Sequence, residues 1–228
     1  NVSFSTTAKY VALYNPVLDK TTLITNWKIE NGRTIIPLLF EANESCFIIF
    51  KNETLEQVEN NSNWIDFEKV TTLDENWDLQ FDSQFHGPEK PIRIKKLFDW
   101  STSQEEGIKY YSGTAIYTKE FQWNGNMNQK TWLELGQIEN IAEVSLNGQD
   151  CGTIWTYPHR VALSGKLKKG KNRVTIKITN TWANRLIGDQ KLPKEERVTW
   201  TTAPFRLEKT ELLPAGLLGP VSIVNEKK

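Results

Sequence analysis

A strict alternation of apolar and polar residues constrains the fold of this chain more than any other feature. The run Ile141 to Leu146 places apolar side chains at every second position, and Asn147-Gly148 follows directly. An Asn-Gly pair after such a run is a strong signal for a hairpin with a type I′ turn, so we predict a return strand through Ile154. The run Val174 to Thr179 alternates in the same way after a turn rich in Gly, Lys and Asn. The pattern therefore predicts antiparallel β-structure.

Short runs rich in β-branched and aromatic residues, separated by turn residues, fill much of the remaining chain. They are Tyr10 to Tyr14, Leu23 to Ile29, Thr34 to Phe40, Ser45 to Phe50, Trp77 to Phe81, Thr114 to Trp123, Trp132 to Leu135 and Val221 to Val224. No amphipathic stretch long enough for a helix of 12 residues interrupts them. Such a pattern predicts an all-β protein built as an antiparallel β-sandwich of the jelly-roll type.

A polar, Asn-rich segment divides the chain into two predicted domains. Asn60 to Asn63 is the predicted linker. Residues 1–59 are predicted to form a small β-meander, the end of a larger β-sandwich, because so short a piece is small for an independent core. Residues 60–228 are predicted to form the jelly roll.

Composition excludes several classes of protein. The 28 Lys and Arg residues balance 28 Asp and Glu residues, which argues against a nucleic-acid-binding protein. No apolar run approaches the roughly 20 residues that span a bilayer, so no membrane span is predicted. A chain that begins at Asn1 is expected to be a processed piece from which a signal or an upstream domain has been removed. Cys46 and Cys151 fit no metal-site spacing and are predicted to be buried free thiols.

The residues suited to acid, base or nucleophilic catalysis form no recognisable constellation. His86 and His159 have no nucleophile motif beside them, so structural or loop roles are expected for both. Glycoside hydrolysis needs two carboxylates at roughly 5 to 10 Å. In a chain with 28 acidic residues, that requirement does not single out any catalytic pair. We therefore predict no catalytic residue.

Aromatic residues point instead to a binding surface. The chain contains nine Trp, six Tyr and ten Phe residues. Aromatic rings stack on the apolar face of a sugar, while neighbouring polar groups fix its hydroxyls. We predict that one surface, used for carbohydrate or for docking a catalytic domain, contains Trp155, Tyr157, Trp182, Asn184, Arg185 and Asp189. The alternatives are that the tryptophans belong to the core, and that Arg185 and Asp189 pair with each other to shape a loop.

Chain order supports bringing these residues together. Trp155 ends the return strand of the predicted hairpin, and Trp182 follows the strand Val174 to Thr179. If these two strands run in the same direction in one sheet, the loops that follow them emerge at the same end. We expect the two tryptophans to converge there.

Several segments resemble known glycosidase sequences. One group of segments resembles the sugar-binding β domain of glycoside hydrolase family 2, which is a galactose-binding-like jelly roll. These segments are Gly136, Ile141 to Gly148, Gly152 to Trp155, Pro158 and Leu167 to Asn172. A second group resembles the C-terminal region of alpha-L-rhamnosidase-like enzymes of glycoside hydrolase family 106. These segments are Tyr110 to Ala115, Asn180 to Asp189 and Pro214 to Val221. The segments Trp27 to Pro37 and Ser45 to Phe50 are similar to the β segment that precedes the jelly roll in that family.

The resemblance implies a carbohydrate-associated or scaffolding module rather than a catalytic one. In that family the catalytic carboxylates lie on a (β/α)8 barrel, which this chain does not encode, so no residue is carried over as catalytic. The family implies export to the periplasm or cell surface, and a structural calcium ion is possible, although no EF-hand spacing supports it. Three functions remain open: a non-catalytic module of a secreted glycosidase, a glycosidase in its own right, and a structural spacer without a ligand.

Overall fold

The predicted hairpin is present in the computed structural model, which describes residues 1–52, 62–203, 207 and 211–227. Its strands, Ile141–Leu146 and Gln149–Ile154, pair in antiparallel register. Asn147 and Gly148 both have positive φ, at 54° and 80°, as a type I′ turn requires. This prediction is confirmed. A bulge between Val144 and Ser145 leaves Cys151 as the extra residue of the return strand.

The structure has eighteen short strands among its described residues. In chain order they are β1 (Val2–Phe4), β2 (Tyr10–Asn15), β3 (Lys20–Leu23), β4 (Lys28–Glu30), β5 (Arg33–Ile36), β6 (Phe47–Lys51), β7 (Phe67–Thr72), β8 (Glu75–Gln80), β9 (Ile92–Lys96), β10 (Thr114–Trp123), β11 (Thr131–Glu134), β12 (Gln137–Glu139), β13 (Ile141–Leu146), β14 (Gln149–Ile154), β15 (Arg160–Ala162), β16 (Gly170–Thr179), β17 (Gly216–Gly219) and β18 (Ser222–Glu226). The predicted all-β class is confirmed.

The chain divides into two compact units. The larger comprises Glu68–Glu226, and the smaller comprises Asn1–Phe67 with the last two residues. Of the predicted linker, Asn60 and Asn61 lie outside the described residues. The domain division at residues 59 and 60 stays a prediction.

The larger unit is a sandwich of two main sheets. A six-stranded sheet has the order β14-β13-β16-β10-β8-β9, and a four-stranded sheet has the order β15-β11-β18-β7. Strands β12 and β17 form a separate antiparallel pair. Apolar side chains from both main sheets, such as Tyr117, Ile176, Leu133 and Ile223, belong to one buried cluster. The alternation in β10, β13 and β16 therefore separates a core face from a solvent face.

The smaller unit is not the predicted four-stranded meander. It has two three-stranded sheets, with the orders β1-β5-β4 and β3-β2-β6. The run Leu23 to Ile29, predicted as one strand, is divided between β3 and β4. Asn63 explains the break, because its side chain accepts a hydrogen bond from the Asn26 backbone N–H at 3.0 Å and donates one to the Asn26 carbonyl at 2.6 Å. Both backbone groups of Asn26 are thus engaged outside a strand.

The described helices are short. They are α1 (Glu106–Lys109), α2 (Ala183–Asp189) and three single-turn 3-10 helices at Ser83–Phe85, Trp100–Thr102 and Lys194–Glu196. None of these is long and apolar enough to cross a membrane. Both cysteines are free thiols, but each is half-buried rather than buried as predicted, because Cys46 and Cys151 lie on or beside strands with one open face.

Candidate functional site

The topology brings the segments after β14 and β16 to one end of the six-stranded sheet. Both strands are antiparallel neighbours of β13, so they run in the same direction. Ala142 of β13 pairs with Ile154 on one side and with Ile178 on the other. The two strands therefore end level with each other, separated by about 10 Å, which is twice the strand spacing. The two strands thus run in the same direction in one sheet, which is the condition under which we expect Trp155 and Trp182 to converge.

Three of the six predicted site residues are exposed aromatic side chains that follow these strands. Trp155 is 62% exposed, Trp182 47% and Tyr157 37%. We call Trp155, Tyr157 and Trp182 the aromatic end. They are not core residues, whereas Trp77 and Trp100 are fully buried. Exposed aromatic rings that follow two strands ending level with each other are candidates for a binding surface.

Two of these rings are held in place by a neighbouring ring. The ring of Trp182 packs edge-on against Phe85 with 5.3 Å between centroids. Tyr157 stacks on His159 at 4.0 Å between centroids. His159 is itself buried, and its Nδ1 lies 2.7 Å from the Gly136 carbonyl oxygen. Because a carbonyl only accepts, Nδ1 carries the proton in this contact, and the histidine has the structural role expected for it.

The other three predicted residues are not on the surface. Asn184, Arg185 and Asp189 are 2%, 3% and 1% exposed, and they lie on α2 rather than on a loop. The prediction of an exposed loop is wrong here because the segment turns into a helix whose polar side chains face inward and bind backbone. Each of the three has an internal partner. None of them is available to contact a ligand.

The buried polar residues of α2 anchor neighbouring segments. Asn184 exchanges two hydrogen bonds with the backbone of Leu213, at 2.7 and 2.8 Å. Arg185 and Asp189 form an ion pair with 2.7 Å between Nε and Oδ1. Asp189 Oδ2 also accepts hydrogen bonds from the backbone N–H groups of Val198 and Thr199 and from the Thr199 hydroxyl. The pair of Arg185 and Asp189 therefore shapes a loop, as in the second of the two alternatives predicted from the sequence.

Sequence reasoning missed Phe85 as a supporting residue of the aromatic end. Phe85 lies almost a hundred positions before Trp182, in a 3-10 helix after β8. No periodicity or motif joins the two positions. Its role depends on tertiary packing, which a single sequence does not reveal.

Comparisons with known proteins agree with the sandwich. The family model described as the glycosyl hydrolase 2 galactose-binding domain-like family matches residues 97–211, half of the chain. A protein of Formosa agariphila named "Putative beta-glucuronidase" is 39% identical over 173 residues, which is 64% of this chain and 15% of that protein. The solved rhamnosidase from Novosphingobium sp. PP1Y matches 98% of this chain with a TM-score of 0.86 and 33% identity. The chain spans only 21% of that rhamnosidase.

Proposed function

The chain belongs to the glycosyl hydrolase 2 galactose-binding domain-like family, and from that premise we propose that it is a non-catalytic, carbohydrate-binding module of a larger glycoside hydrolase. The two similar proteins described above bear glycosidase names and are several times longer than the part they share with this chain. That length difference supports a module whose catalytic domain lies elsewhere in the parent protein.

The aromatic end is the observation that carries this proposal. Its rings are exposed, yet Trp182 is packed on Phe85 and Tyr157 is stacked on His159. Side chains fixed in this way lose little conformational entropy when a ligand arrives. A pyranose offers a flat C–H face that matches such a ring, so stacking at one or more of these positions is the expected mode of binding.

The acidic residues around the sandwich support a non-catalytic role. Asp189, a buried carboxylate on α2, is paired with Arg185 through Oδ1 and accepts hydrogen bonds from Val198 and Thr199 at Oδ2. Asp99 accepts hydrogen bonds from the backbone of Ser101 and Ala215, and so holds a turn. Carboxylates already bound to cations and backbone N–H groups are poorly placed to transfer a proton to a glycosidic oxygen.

We propose an exported, alpha-L-rhamnosidase-like enzyme as the parent protein. The rhamnosidase match over nearly the whole chain supports this class. We also propose the periplasm or cell surface as the location, which is the expectation from the sequence resemblance.

The proposal requires no cofactor, because stacking and hydrogen bonding suffice for sugar binding. A structural calcium ion would need backbone or amide carbonyls among its ligands, since the described residues contain no cluster of three or more His, Cys, Asp or Glu side chains. Melting curves recorded with calcium and with a chelator test this part of the proposal. A higher melting temperature in calcium supports a structural calcium ion, and coincident melting curves contradict it.

Titration with a panel of neutral monosaccharides, including L-rhamnose and D-galactose, tests sugar binding. Trp182→Ala is expected to keep the fold and to weaken binding at least tenfold, because an aromatic anchor contributes about 2 kcal/mol or more. Trp64→Ala is the matched control, since it removes an exposed tryptophan from the smaller unit. If no sugar binds, or if both variants bind like the unaltered chain, the aromatic end serves another purpose, of which docking to a catalytic domain is the first to test.

A further inference from the structure

A polar cavity lies on the solvent face of the six-stranded sheet, away from the core. Its volume is about 620 Å³, and its lining comes from the neighbouring strands β9, β8, β10 and β16. Register aligns Arg93, Asp78 and Thr118 in one row across three of these strands. Glu120 and Arg173 face each other in a second row. Ligand pockets commonly occupy roughly 300 to 1,000 Å³, so this cavity has room for one sugar ring.

The cavity arises from a difference in side-chain length. Thr118 is short, and it lies on β10 at the end of the row that carries Arg93 and Asp78, next to the row of Glu120 and Arg173. On a strand face, neighbouring side chains stand roughly perpendicular to the sheet. Long side chains around a short one therefore leave a depression with hydroxyl and backbone groups at its base.

The acidic side chains of this cavity are already neutralised. Asp78 pairs with Arg93 at 2.8 Å. Glu120 pairs at 2.8 Å with Lys171, which does not line the cavity. The guanidinium of Arg173, by contrast, has no hydrogen-bond or ion-pair partner among the residues that the structure describes. Its five N–H donors therefore have no protein partner among those residues.

The position of Arg173 is fixed by its backbone. Its N–H donates to the Asn147 side chain at 3.0 Å, and its carbonyl accepts from the Asn147 N–H at 2.8 Å. The type I′ turn at Asn147 therefore holds the β16 residue that carries the free guanidinium.

Lys119 is also among the lining residues, but its ammonium group lies on the core face of the sheet, beside Trp77. The Lys119 ammonium donates to the Glu75 carbonyl and lies 5.9 Å from the centre of the Trp77 ring. Burial lowers the pKa of Lys119, and the nearby charge of Arg93 lowers that pKa further.

We propose that this cavity binds the anionic group of an acidic sugar, either the carboxylate of a uronic acid or a sulfate ester, with Arg173 as the principal contact. A guanidinium presents a planar fork that matches carboxylate and sulfate oxygens. Thr118 and the side-chain amide of Asn76 supply partners for sugar hydroxyls. The site is separate from the aromatic end, because Arg173 lies six residues, about 20 Å, from the end of β16 that leads to Trp182.

Calorimetric titration of the full chain tests this site with three probes: D-glucuronate, D-galactose 6-sulfate and neutral D-galactose. Arg173→Gln is expected to weaken binding of the acidic probe about tenfold, because a hydrogen bond to a charged group is lost. Lys177→Gln is the matched control: Lys177 is on the same strand and face, pairs with Glu143 and does not line the cavity. Binding in this control and in Trp182→Ala is expected to stay within twofold.

The two acidic probes identify the anion, because the one that binds more tightly reveals whether carboxylate or sulfate is preferred. Arg173→Lys should retain part of the affinity, since it keeps the charge but loses the fork. The proposal is overturned if neither acidic probe binds, if Arg173→Gln binds as the unaltered chain does, or if neutral galactose shows the same dependence on Arg173. Such a result would leave the proposed role of the aromatic end unaffected, because that role is tested with neutral sugars and Trp182→Ala.

Discussion

Asp189 illustrates how a buried charge can shape the surroundings of a binding surface. Its two carboxylate oxygens together accept from Val198 and Thr199 and contact Arg185. These contacts join the end of α2 to the segment that precedes Trp200, whose side chain is highly exposed. The residue types were visible in the sequence, and so was their i, i+4 spacing, which suits a helix. Their burial was not visible, because it depends on how the chain folds back to bring the backbone donors of Val198 and Thr199 to Asp189.

Replacing Asp189 by Asn should destabilise the larger unit by about 3 to 5 kcal/mol, because the buried Arg185 charge would lose its counter-charge. Urea unfolding of the full chain measures the change. Glu143→Gln is the control, since it breaks an exposed pair with Lys177 and should alter the free energy of unfolding by less than about 1 kcal/mol. Equal effects of the two substitutions would show that the buried pair does not carry the stability assigned to it.

Tyr117 predicts how stability responds to alkaline pH. Its hydroxyl accepts from the Trp100 indole N–H at 2.7 Å and from the Leu217 N–H at 3.2 Å, and burial raises its pKa strongly. Above about pH 10 the unfolded chain loses this proton while the folded chain keeps it. The folded state then binds more protons than the unfolded state, so stability falls as pH rises through that range.

Urea unfolding at several pH values between 8 and 11 checks this behaviour. The free energy of unfolding should decline more steeply above pH 10 in the unaltered chain than in Tyr117→Phe. That variant should also be less stable at pH 8, by about 2 to 3 kcal/mol, because two buried donors lose their acceptor. Identical slopes for the two proteins would rule out Tyr117 as the titrating group.

At the scale of elements, local patterns succeeded where a strand needs only its own sequence. The hairpin at Asn147-Gly148 combines alternation with a turn that demands two positive φ angles, and few other structures satisfy both. Strand β10 was predicted at its observed bounds, Thr114–Trp123, because its alternation is long. Helix α2 was missed because it has seven residues and no capping side chain. The break after Leu23 was missed because Asn63, far along the chain, causes it.

Val144 provides the test of the face assignment in the hairpin. It is buried between Ala142 and Leu146 on the core face of β13. Val144→Asp should unfold the larger unit, because it buries a charge without a partner. The matched control is Gln149→Asp at an exposed position of the same hairpin, which should melt within a few degrees of the unaltered chain. An unchanged melting temperature for Val144→Asp would contradict the assignment.

At the scale of the whole molecule, the sandwich explains why the two candidate sites differ in how far the sequence reveals them. The aromatic end follows from chain order, since two strands that flank β13 deliver their loops to one end. The polar cavity assembles side chains from Asn76 to Arg173 on four strands, and its residues look like an ordinary solvent face when read singly. Only the strand order makes them neighbours.

The whole chain is expected to have no glycosidase activity, because the acids described near the aromatic end are bound to cations or backbone. Purified protein should release no aglycone from a panel of aryl glycosides above the rate in buffer. Turnover that disappears when a single carboxylate is replaced would contradict this expectation and would make the chain an enzyme. Turnover that survives every such replacement would point to a contaminating glycosidase.

The most direct test of carbohydrate binding at the aromatic end is a titration followed by the indole N–H signals of the nine tryptophans in a two-dimensional NMR spectrum. With a neutral monosaccharide that binds, the signals of Trp155 or Trp182 should shift in a saturable way. Those of the buried Trp77 and Trp100, and that of Trp64 in the smaller unit, should stay in place. If no indole signal moves at any sugar concentration, or if only Trp64 responds, the aromatic end does not bind carbohydrate.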